Sequence, residues 1–182
     1  MADVPVQETF IASLTKQHAI VTHYLLKRHL EGPNQVRDML YEHLNIDELR
    51  AFAVGDAQQA GDYDEAERLC IEKVTELKGW SFRDLNPQDW RNVLYKVYVA
   101  AENRVKQKAL AKQLMLYGSQ HYWRVLKDIY SQEGTWESEY PQLLNALAAT
   151  GIAVCYRNIL VEENEMERLL VEVTRDPFDL FY

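Results

Sequence analysis

The sequence predicts an all-α protein, an α–α superhelix of stacked antiparallel helical hairpins, and three observations carry this prediction. Apolar residues recur at three- and four-residue intervals along the whole chain, as they do on the buried face of a helix. The 182 residues include only 7 Gly and 5 Pro, so few positions interrupt long helices. No stretch shows strand alternation, a hairpin dipeptide or a glycine-rich phosphate loop. We therefore expect about ten helices, joined by short turns.

Two hairpins are predicted in the first part of the chain, over residues 1–45 and 46–77. The helices of the first hairpin are separated by the break EGPN at residues 31–34, where glycine followed by proline ends a helical pattern. The helices of the second are separated within the stretch QQAGDYDEAERLC, residues 58–70.

This stretch is predicted to be the elbow of the second hairpin. Gly61 is expected to end one helix and Asp62 to cap the next. Tyr63 then wedges the helix pair, and Ala66 is the small residue where the two helices approach each other. The acidic side chains of the elbow are interpreted as first-turn residues, which the helix dipole favours, and not as a catalytic site.

The segment KGWSFRDLNP, residues 78–87, interrupts the helical pattern. Asn86 and Pro87 are predicted to start the next helix as its N-cap and first-turn proline, with Asp89 in an acidic first turn. Three further hairpins are predicted from there on, over residues 87–117, 119–150 and 152–175. All the hairpins together are expected to form a single domain over residues 1–182, a usual length for one domain.

An internal repeat relates the last three hairpins. Residues 90–94 read WRNVL, residues 123–127 read WRVLK and residues 156–160 read YRNIL, so an aromatic residue followed by arginine recurs every 33 positions. Leu110 and Leu114 correspond to Leu143 and Leu147 with the same spacing. A period of about 33 residues that contains two amphipathic helices is typical of an α-solenoid.

Two stretches resemble known helical-repeat families. AGDYDEAERLC resembles the inter-helix turn of a tetratricopeptide repeat, although Lys73 replaces the small residue expected there and no proline closes the unit. Residues 106–177 resemble the helical region of bacterial SWIM zinc-finger proteins, on KQKALAKQLMLYGSQHYWRVLKDIYSQEGTWESEYPQLLNAL and CYRNILVEENEMERLLVEVTRDP. The zinc-binding cysteine and histidine motif of that family is absent, so the resemblance implies no metal and no nucleic-acid role.

The leading functional prediction is a non-catalytic module that binds a protein or peptide, because solenoids expose a regular, extended surface. Arg91, Arg124 and Arg157 form an arginine ladder that is expected on neighbouring helices and able to grip an acidic or C-terminal peptide. The alternative is local pairing of each arginine, as of Arg124 with an acid one turn on. By helical phase, Tyr95 and Tyr98 are the aromatic residues expected to line a groove.

Two other functions are predicted as alternatives. Arg104, Lys106, Lys108 and Lys112 form a basic stripe that suits contact with phosphates in an accessory region of a nucleic-acid-associated protein. The same stripe is also interpreted as an ordinary solvated helix face, and the net charge of −8 disfavours broad nucleic-acid binding. The third function is a structural element whose open ends join copies to each other.

Several function classes are excluded by the sequence pattern. Cys70 and Cys155 match no zinc-ligand spacing and are expected to be buried, reduced thiols, so neither a metal nor a cofactor is predicted. No nucleophile has a recognisable partner arrangement, which argues against an enzyme. The N-terminal residues have no basic n-region or cleavage site, which argues against a signal peptide, and no segment is apolar for long enough to span a membrane, so we expect a cytoplasmic protein. The acidic run is interpreted as a helix start: Glu162, Glu163, Glu165 and Glu167.

Overall fold

The structure, a computed structural model, describes residues 6–76 and 89–175. Within these residues the chain forms ten α-helices and one short 3-10 helix, with no strand, which confirms the all-α prediction. Two compact units are distinguished, the first ending at Lys73 and the second beginning at Val74. The single domain over residues 1–182 stays a prediction, and the two units are described in turn.

The first unit contains the two predicted N-terminal hairpins, but the second arm of the first hairpin is short. Gly32, with a φ of 88°, and Pro33 break the chain after the long first helix. A 3-10 turn and a six-residue helix follow, in place of one continuous arm. The elements are α1 (Val6–Glu31), the 3-10 helix (Pro33–Val36), α2 (Arg37–Glu42), α3 (Asp47–Gln59) and α4 (Tyr63–Glu76), the last of which ends beyond Lys73.

The elbow between α3 and α4 has the predicted geometry. Gly61 adopts a φ of 75°, and its N–H donates to Gln58 O at 3.1 Å. The Asp62 carboxylate caps α4, because its Oδ1 accepts from the N–H of Glu65 at 3.1 Å. Ala66 is completely buried, as expected for the small residue at a close helix approach.

A buried arginine ties the second hairpin of this unit together. Arg50 lies on α3 with 5% of its surface exposed. Its Nε donates to Leu44 O and its NH1 donates to Leu69 O, both at 2.9 Å. These bonds pair two of its donors with backbone carbonyls before α3 and inside α4, so the side chain fixes α4 against α3.

The second unit is a series of six helices of similar length. Each packs against the next helix along the chain, and α6 with α8 and α7 with α9 also pack as next-but-one neighbours. Side-chain hydrogen bonds join the other next-but-one pairs, Tyr122 of α7 to Asn92 of α5 and Arg168 of α10 to Asn145 of α8. The helices are α5 (Trp90–Ala100), α6 (Arg104–Leu116), α7 (Gln120–Gln132), α8 (Trp136–Ala148), α9 (Ala153–Glu162) and α10 (Met166–Arg175).

The start of α5 differs from its prediction. The insertion at residues 78–87, with Asn86 and Pro87, lies outside the described residues. Within them, α5 begins at Trp90, and Asp89 is its N-cap, because its carboxylate accepts from the N–H of Arg91 at 2.9 Å.

The 33-residue repeat marks core positions of the second unit. The repeated aromatic residues Trp90, Trp123 and Tyr156 are all buried. The repeated leucines of the partner helices are buried as well: Leu110, Leu114, Leu143 and Leu147. The 33-residue period therefore indicates which side chains fill the space between stacked helices.

One turn geometry ends most of these helices. After α7, Gly134 lies in the left-handed region at a φ of 70°, its N–H donates to Ser131 O at 3.1 Å, and Thr135 N–H donates to Tyr130 O at 2.9 Å. This pair of bonds is the Schellman motif. Glu102 occupies the same position after α5, at a φ of 53°. The motif also follows α3, α6 and α9, so successive hairpins reverse direction in the same way.

Gly134 and Glu102 both have a left-handed backbone, and substitutions at these two positions are predicted to change the free energy of unfolding in opposite directions. Gly134→Ala is expected to lower the free energy of unfolding by about 1 kcal/mol, because a Cβ is disfavoured at positive φ. The added methyl meets no atom within 4 Å, so backbone strain is the only cost. Glu102→Gly is expected to raise the free energy of unfolding by up to about 1 kcal/mol by relieving the same strain. Chemical denaturation followed by circular dichroism measures both, and changes of the same sign would contradict this account.

Candidate functional site

The arginine ladder does not form one exposed row. Arg91 is buried, with 2% of its surface exposed, and its Nε lies 3.3 Å from Asp89 Oδ1. Arg157 is half-buried, and Arg124 is exposed. Arg91 is the second residue of α5, beside its N-cap Asp89, whereas Arg124 and Arg157 are the fifth residues of α7 and α9. A constant spacing in sequence therefore leads to three different environments.

The two tyrosines assigned to a groove lie between helices. Tyr98 is buried with 8% of its surface exposed, and the ammonium group of Lys106 lies 5.7 Å from its ring centroid. Tyr95 is half-buried, and its hydroxyl accepts from Gln107 Nε2 at 2.9 Å. Its ring meets the edge of Tyr122 at a centroid distance of 5.0 Å. These contacts join α5 to α6 and α7, and they leave little of the Tyr98 ring and only part of the Tyr95 ring open to a partner.

The basic stripe of α6 is largely engaged with the end of α7. Lys108 forms an ion pair with Glu133 at 2.7 Å and lies over the ring of Tyr130. Arg104 donates to the side chains of Gln107 and Gln132, each at 3.1 Å. Lys106 lies over the ring of Tyr98, and Lys112, the remaining member of the stripe, is half-buried. The contacts of Arg104 and Lys108 hold two hairpins together, so the stripe does not present a free row of cations.

An acidic turn after α9, Glu162–Glu165, is held by the preceding hairpin. Arg124 donates to both oxygens of Glu162 at 2.8 and 3.0 Å, so its partner is this glutamate and not Asp128 of its own helix. Glu163 accepts from Trp123 Nε1 at 2.9 Å and from Lys127 Nζ at 2.7 and 2.9 Å. The guanidinium group of Arg124 lowers the pKa of Glu162.

The interpretation of this acidic run as a helix start is therefore wrong for two of its members. Glu162 is the last residue of α9 and Glu163 is its C-cap, where the helix dipole disfavours negative charge. The cations of α7 offset this effect. Glu167 alone lies in the first turn of α10 as expected, and Glu165 precedes that helix and accepts from the hydroxyl of Tyr140 at 2.6 Å.

The same arrangement occurs one hairpin earlier. Glu133 immediately precedes the left-handed residue Gly134, as Glu163 precedes the left-handed Asn164, and both glutamates bind a lysine from an earlier helix. The two glutamates lie 30 residues apart, at positions 133 and 163, and not 33. Because α9 has 10 residues and α7 has 13, a search at the core period does not reveal this second repeat.

Glu163 provides a test of the acidic turn. Glu163→Gln keeps an acceptor for Trp123 but removes the charge that Lys127 binds, and only 8% of the Glu163 side chain is exposed. We expect it to lower the free energy of unfolding by about 1 to 2 kcal/mol, the usual effect of losing a partly buried charged hydrogen bond. Asp128→Asn is the matched control on the exposed surface of α7, with an expected change below about 0.5 kcal/mol. Equal effects in denaturant titrations would contradict the assignment.

A cleft of about 310 Å³ lies in the first unit. The 3-10 helix and α2 form one wall, the end of α3 forms the floor, and the elbow with the first turn of α4 forms the other wall. We call it the α2–α4 cleft. Its lining is Pro33, Asn34, Arg37, Leu40, Tyr41, Asp56, Ala57, Gln59, Ala60, Asp62 and Glu65.

Two arginines outside this lining fix two of its carboxylates. Arg28 of α1 donates to both oxygens of Asp56 at 2.5 and 2.6 Å. Arg68 of α4 donates to both oxygens of Glu65, each at 2.7 Å, and holds the pKa of Glu65 below its usual value. Bidentate pairs of this kind fix orientation as well as charge.

Tyr41 connects the walls of the cleft. Its hydroxyl donates to Glu65 Oε1 at 3.0 Å, and the guanidinium of Arg37 lies 5.4 Å from its ring centroid. Burial is the main cause that raises the pKa of Tyr41. The sequence pattern does not reveal this site, because its lining comes from four short elements with no shared period. From the sequence, Asp62 and Glu65 are interpreted only as first-turn acids.

The pair of Glu65 and Arg68 predicts a dependence of stability on pH. The depressed pKa of Glu65 stabilises the folded chain above its ordinary value of 4.5, and this contribution is lost as pH falls through the lower folded-state pKa. Glu65→Gln should therefore flatten the fall in the free energy of unfolding between about pH 5 and pH 3. Denaturant titrations at several pH values measure the slope, and superimposable profiles of the two proteins would refute the prediction.

The described residues contain few groups suited to other chemistry. No three metal-ligating side chains among them lie close enough to hold a metal ion. Both cysteines are buried free thiols, as predicted, and burial raises the pKa of Cys70 to about 12 and that of Cys155 to about 11. Of the helices in residues 6–76 and 89–175, none combines the length and apolar character required to cross a membrane.

Comparisons with known proteins found no matching family model, no matching curated protein and no matching solved structure.

Proposed function

We propose that this protein is a non-catalytic helical-repeat module that binds a protein or peptide. One observation carries the proposal: every helix from α5 to α9 packs on the next helix, and next-but-one helices are joined as well. α-Solenoids of the tetratricopeptide type grow by these contacts, and their stacked hairpins form an extended face that suits a partner chain.

The recurring Schellman turns support a superhelical arrangement within the second unit. Hairpins that reverse direction with the same turn repeat the same step, and a repeated step generates a superhelix. The elbow at Gly61, which resembles the turn of a tetratricopeptide repeat, extends this proposal to the helix pair α3 and α4 of the first unit.

Nucleic-acid binding is disfavoured as the alternative function. Lys108 and Arg104 are engaged with the end of α7, and the chain carries a net charge of −8. Phosphate binding by these cations would have to break existing contacts.

The buried thiols Cys70 and Cys155 suit a reducing compartment such as the cytoplasm.

Self-assembly is a second candidate, favoured by exposed apolar residues on the last hairpin. Val154 of α9 and Leu170 and Val171 of α10 each expose 66% of their surface. A second copy that covered this face would remove apolar area from water. Light scattering over a concentration series tests this candidate, and a constant monomer mass would exclude it.

Selection from a random peptide library tests the leading proposal. The full chain should enrich peptides with a shared pattern, and synthetic versions should bind it with micromolar to millimolar dissociation constants, about −8 to −4 kcal/mol of binding free energy. A helical protein of similar net charge serves as the control target. Absence of enrichment over this control, with no binding by calorimetry, would show that the proposal is wrong.

A further inference from the structure

We infer that the α2–α4 cleft receives the positively charged side chain of a peptide segment, an arginine or a lysine, with Asp62 as the counter-ion. The inference rests on the proposed peptide-binding function and adds the chemistry of the ligand and the place where it binds.

The lining contains one carboxylate, that of Asp62, to which no described cation is bound. Asp56, Asp62 and Glu65 face a single lining cation, Arg37. Arg28 and Arg68 neutralise Asp56 and Glu65 from outside the cleft. Asp62 has no ion pair within the described part of the chain, and its carboxylate caps α4 by accepting from the N–H of Glu65 through Oδ1. Its Oδ2 therefore stays able to accept from a ligand.

The end of α3 adds to the negative potential of the floor. Ala57, Gln59 and Ala60 line the cleft, and α3 ends at Gln59. The C-terminal end of a helix carries a partial negative charge that stabilises a nearby cation. The N-terminal end of α4 also borders the cleft and carries the opposite partial charge, which the Asp62 carboxylate offsets, so a cation is attracted to the end of α3 and to Asp62.

The ring of Tyr41 already binds a guanidinium group of the protein itself. Arg37 is exposed, and its guanidinium lies 5.4 Å from the ring centroid. This contact is a cation–π interaction, which a ligand arginine can form equally well. A long exposed side chain is displaced at small cost, so Arg37 competes with the ligand for the ring and also repels it.

The volume and the remaining polar groups fit a side chain with its neighbouring backbone. A volume of about 310 Å³ equals that of roughly ten water molecules, enough for an arginine side chain and an adjacent peptide unit. The amides of Asn34 and Gln59 can donate to and accept from peptide groups at the rim. Leu40 and Ala57, both buried, supply an apolar surface for the methylene groups of the ligand.

The test uses three short capped glycine–serine peptides that differ only in a central arginine, citrulline or glutamate. Citrulline keeps the shape of arginine without its charge. Amide chemical shifts of the isotope-labelled full chain report binding at peptide concentrations up to about 10 mM, where a single side chain gives a measurable affinity. We expect the arginine peptide to shift resonances of residues 33–41 and 56–65, and the other two peptides to shift none.

Substitutions in the protein sharpen the test. Asp62→Asn still caps α4, because asparagine is an equally good N-cap, and should weaken binding of the arginine peptide about threefold to fivefold. Asp64→Asn makes the same change of charge two residues away, on an exposed residue outside the lining, and should leave binding unchanged. Arg37→Ala should strengthen binding about threefold by freeing the ring of Tyr41.

Three results would overturn the inference. The first is that the arginine peptide does not shift the cleft resonances. The second is that the glutamate peptide binds in its place and that Arg37→Ala abolishes its shifts. The third is that Asp62→Asn and Asp64→Asn weaken binding of the arginine peptide equally. If peptides selected from the random library still bind the chain after any of these results, the cleft assignment alone fails and the proposed function stands.

Discussion

The left-handed residue that follows each of the helices α5 to α9 is the constraint on which the rest of the second unit depends. Gly118, Gly134 and the non-glycine residues Glu102 and Asn164 adopt positive φ angles, and two backbone bonds then close the turn. The chain reverses within a few residues, so each new helix starts beside the one just completed. Only this close start lets a helix reach both its neighbour and the next-but-one helix. The tolerance of Glu102 and Asn164 for a strained backbone shows that packing outweighs the local cost.

Charged side chains in the second unit serve mainly to join hairpins. Glu133 and Glu163 stand at helix ends, where their charge opposes the helix dipole, and lysines from earlier helices bind them. The earlier helices therefore supply the cations that offset this unfavourable charge. The contacts therefore couple neighbouring repeats electrostatically as well as through the apolar core. The same coupling removes Lys108 and Arg124 from the set of free surface charges.

The periodicity of the sequence predicts the helices and their buried positions, but it does not predict the charge pairs between helices. The helices, the elbow at Gly61 and the buried repeat of Trp90, Trp123 and Tyr156 follow from local pattern, because apolar burial requires a fixed phase. The surroundings of Arg91 did not follow, because it lies in the first turn of α5 beside the N-cap Asp89, whereas Arg124 and Arg157 lie one turn further into their helices. The partner of Arg124 lies 38 residues away on another helix, and Arg28 and Asp56 are 28 residues apart. No spacing rule connects such pairs, so the acidic turn and the α2–α4 cleft could be found only from the structure.

The α2–α4 cleft differs from the acidic turn in how completely its charges are balanced. In the acidic turn the carboxylates of Glu162 and Glu163 are met by cations at hydrogen-bond distance, which leaves little to gain from a ligand. On the cleft walls, Arg37 and Asp62 form no ion pair with each other or with any other described residue. Such groups contribute little to folding, since water already solvates them. They can contribute to association, because a ligand cation exchanges this water for a carboxylate that the N-cap bond already holds in position, with little further loss of entropy. A site for a charged side chain therefore fits the cleft better than the interlocked surface of the second unit.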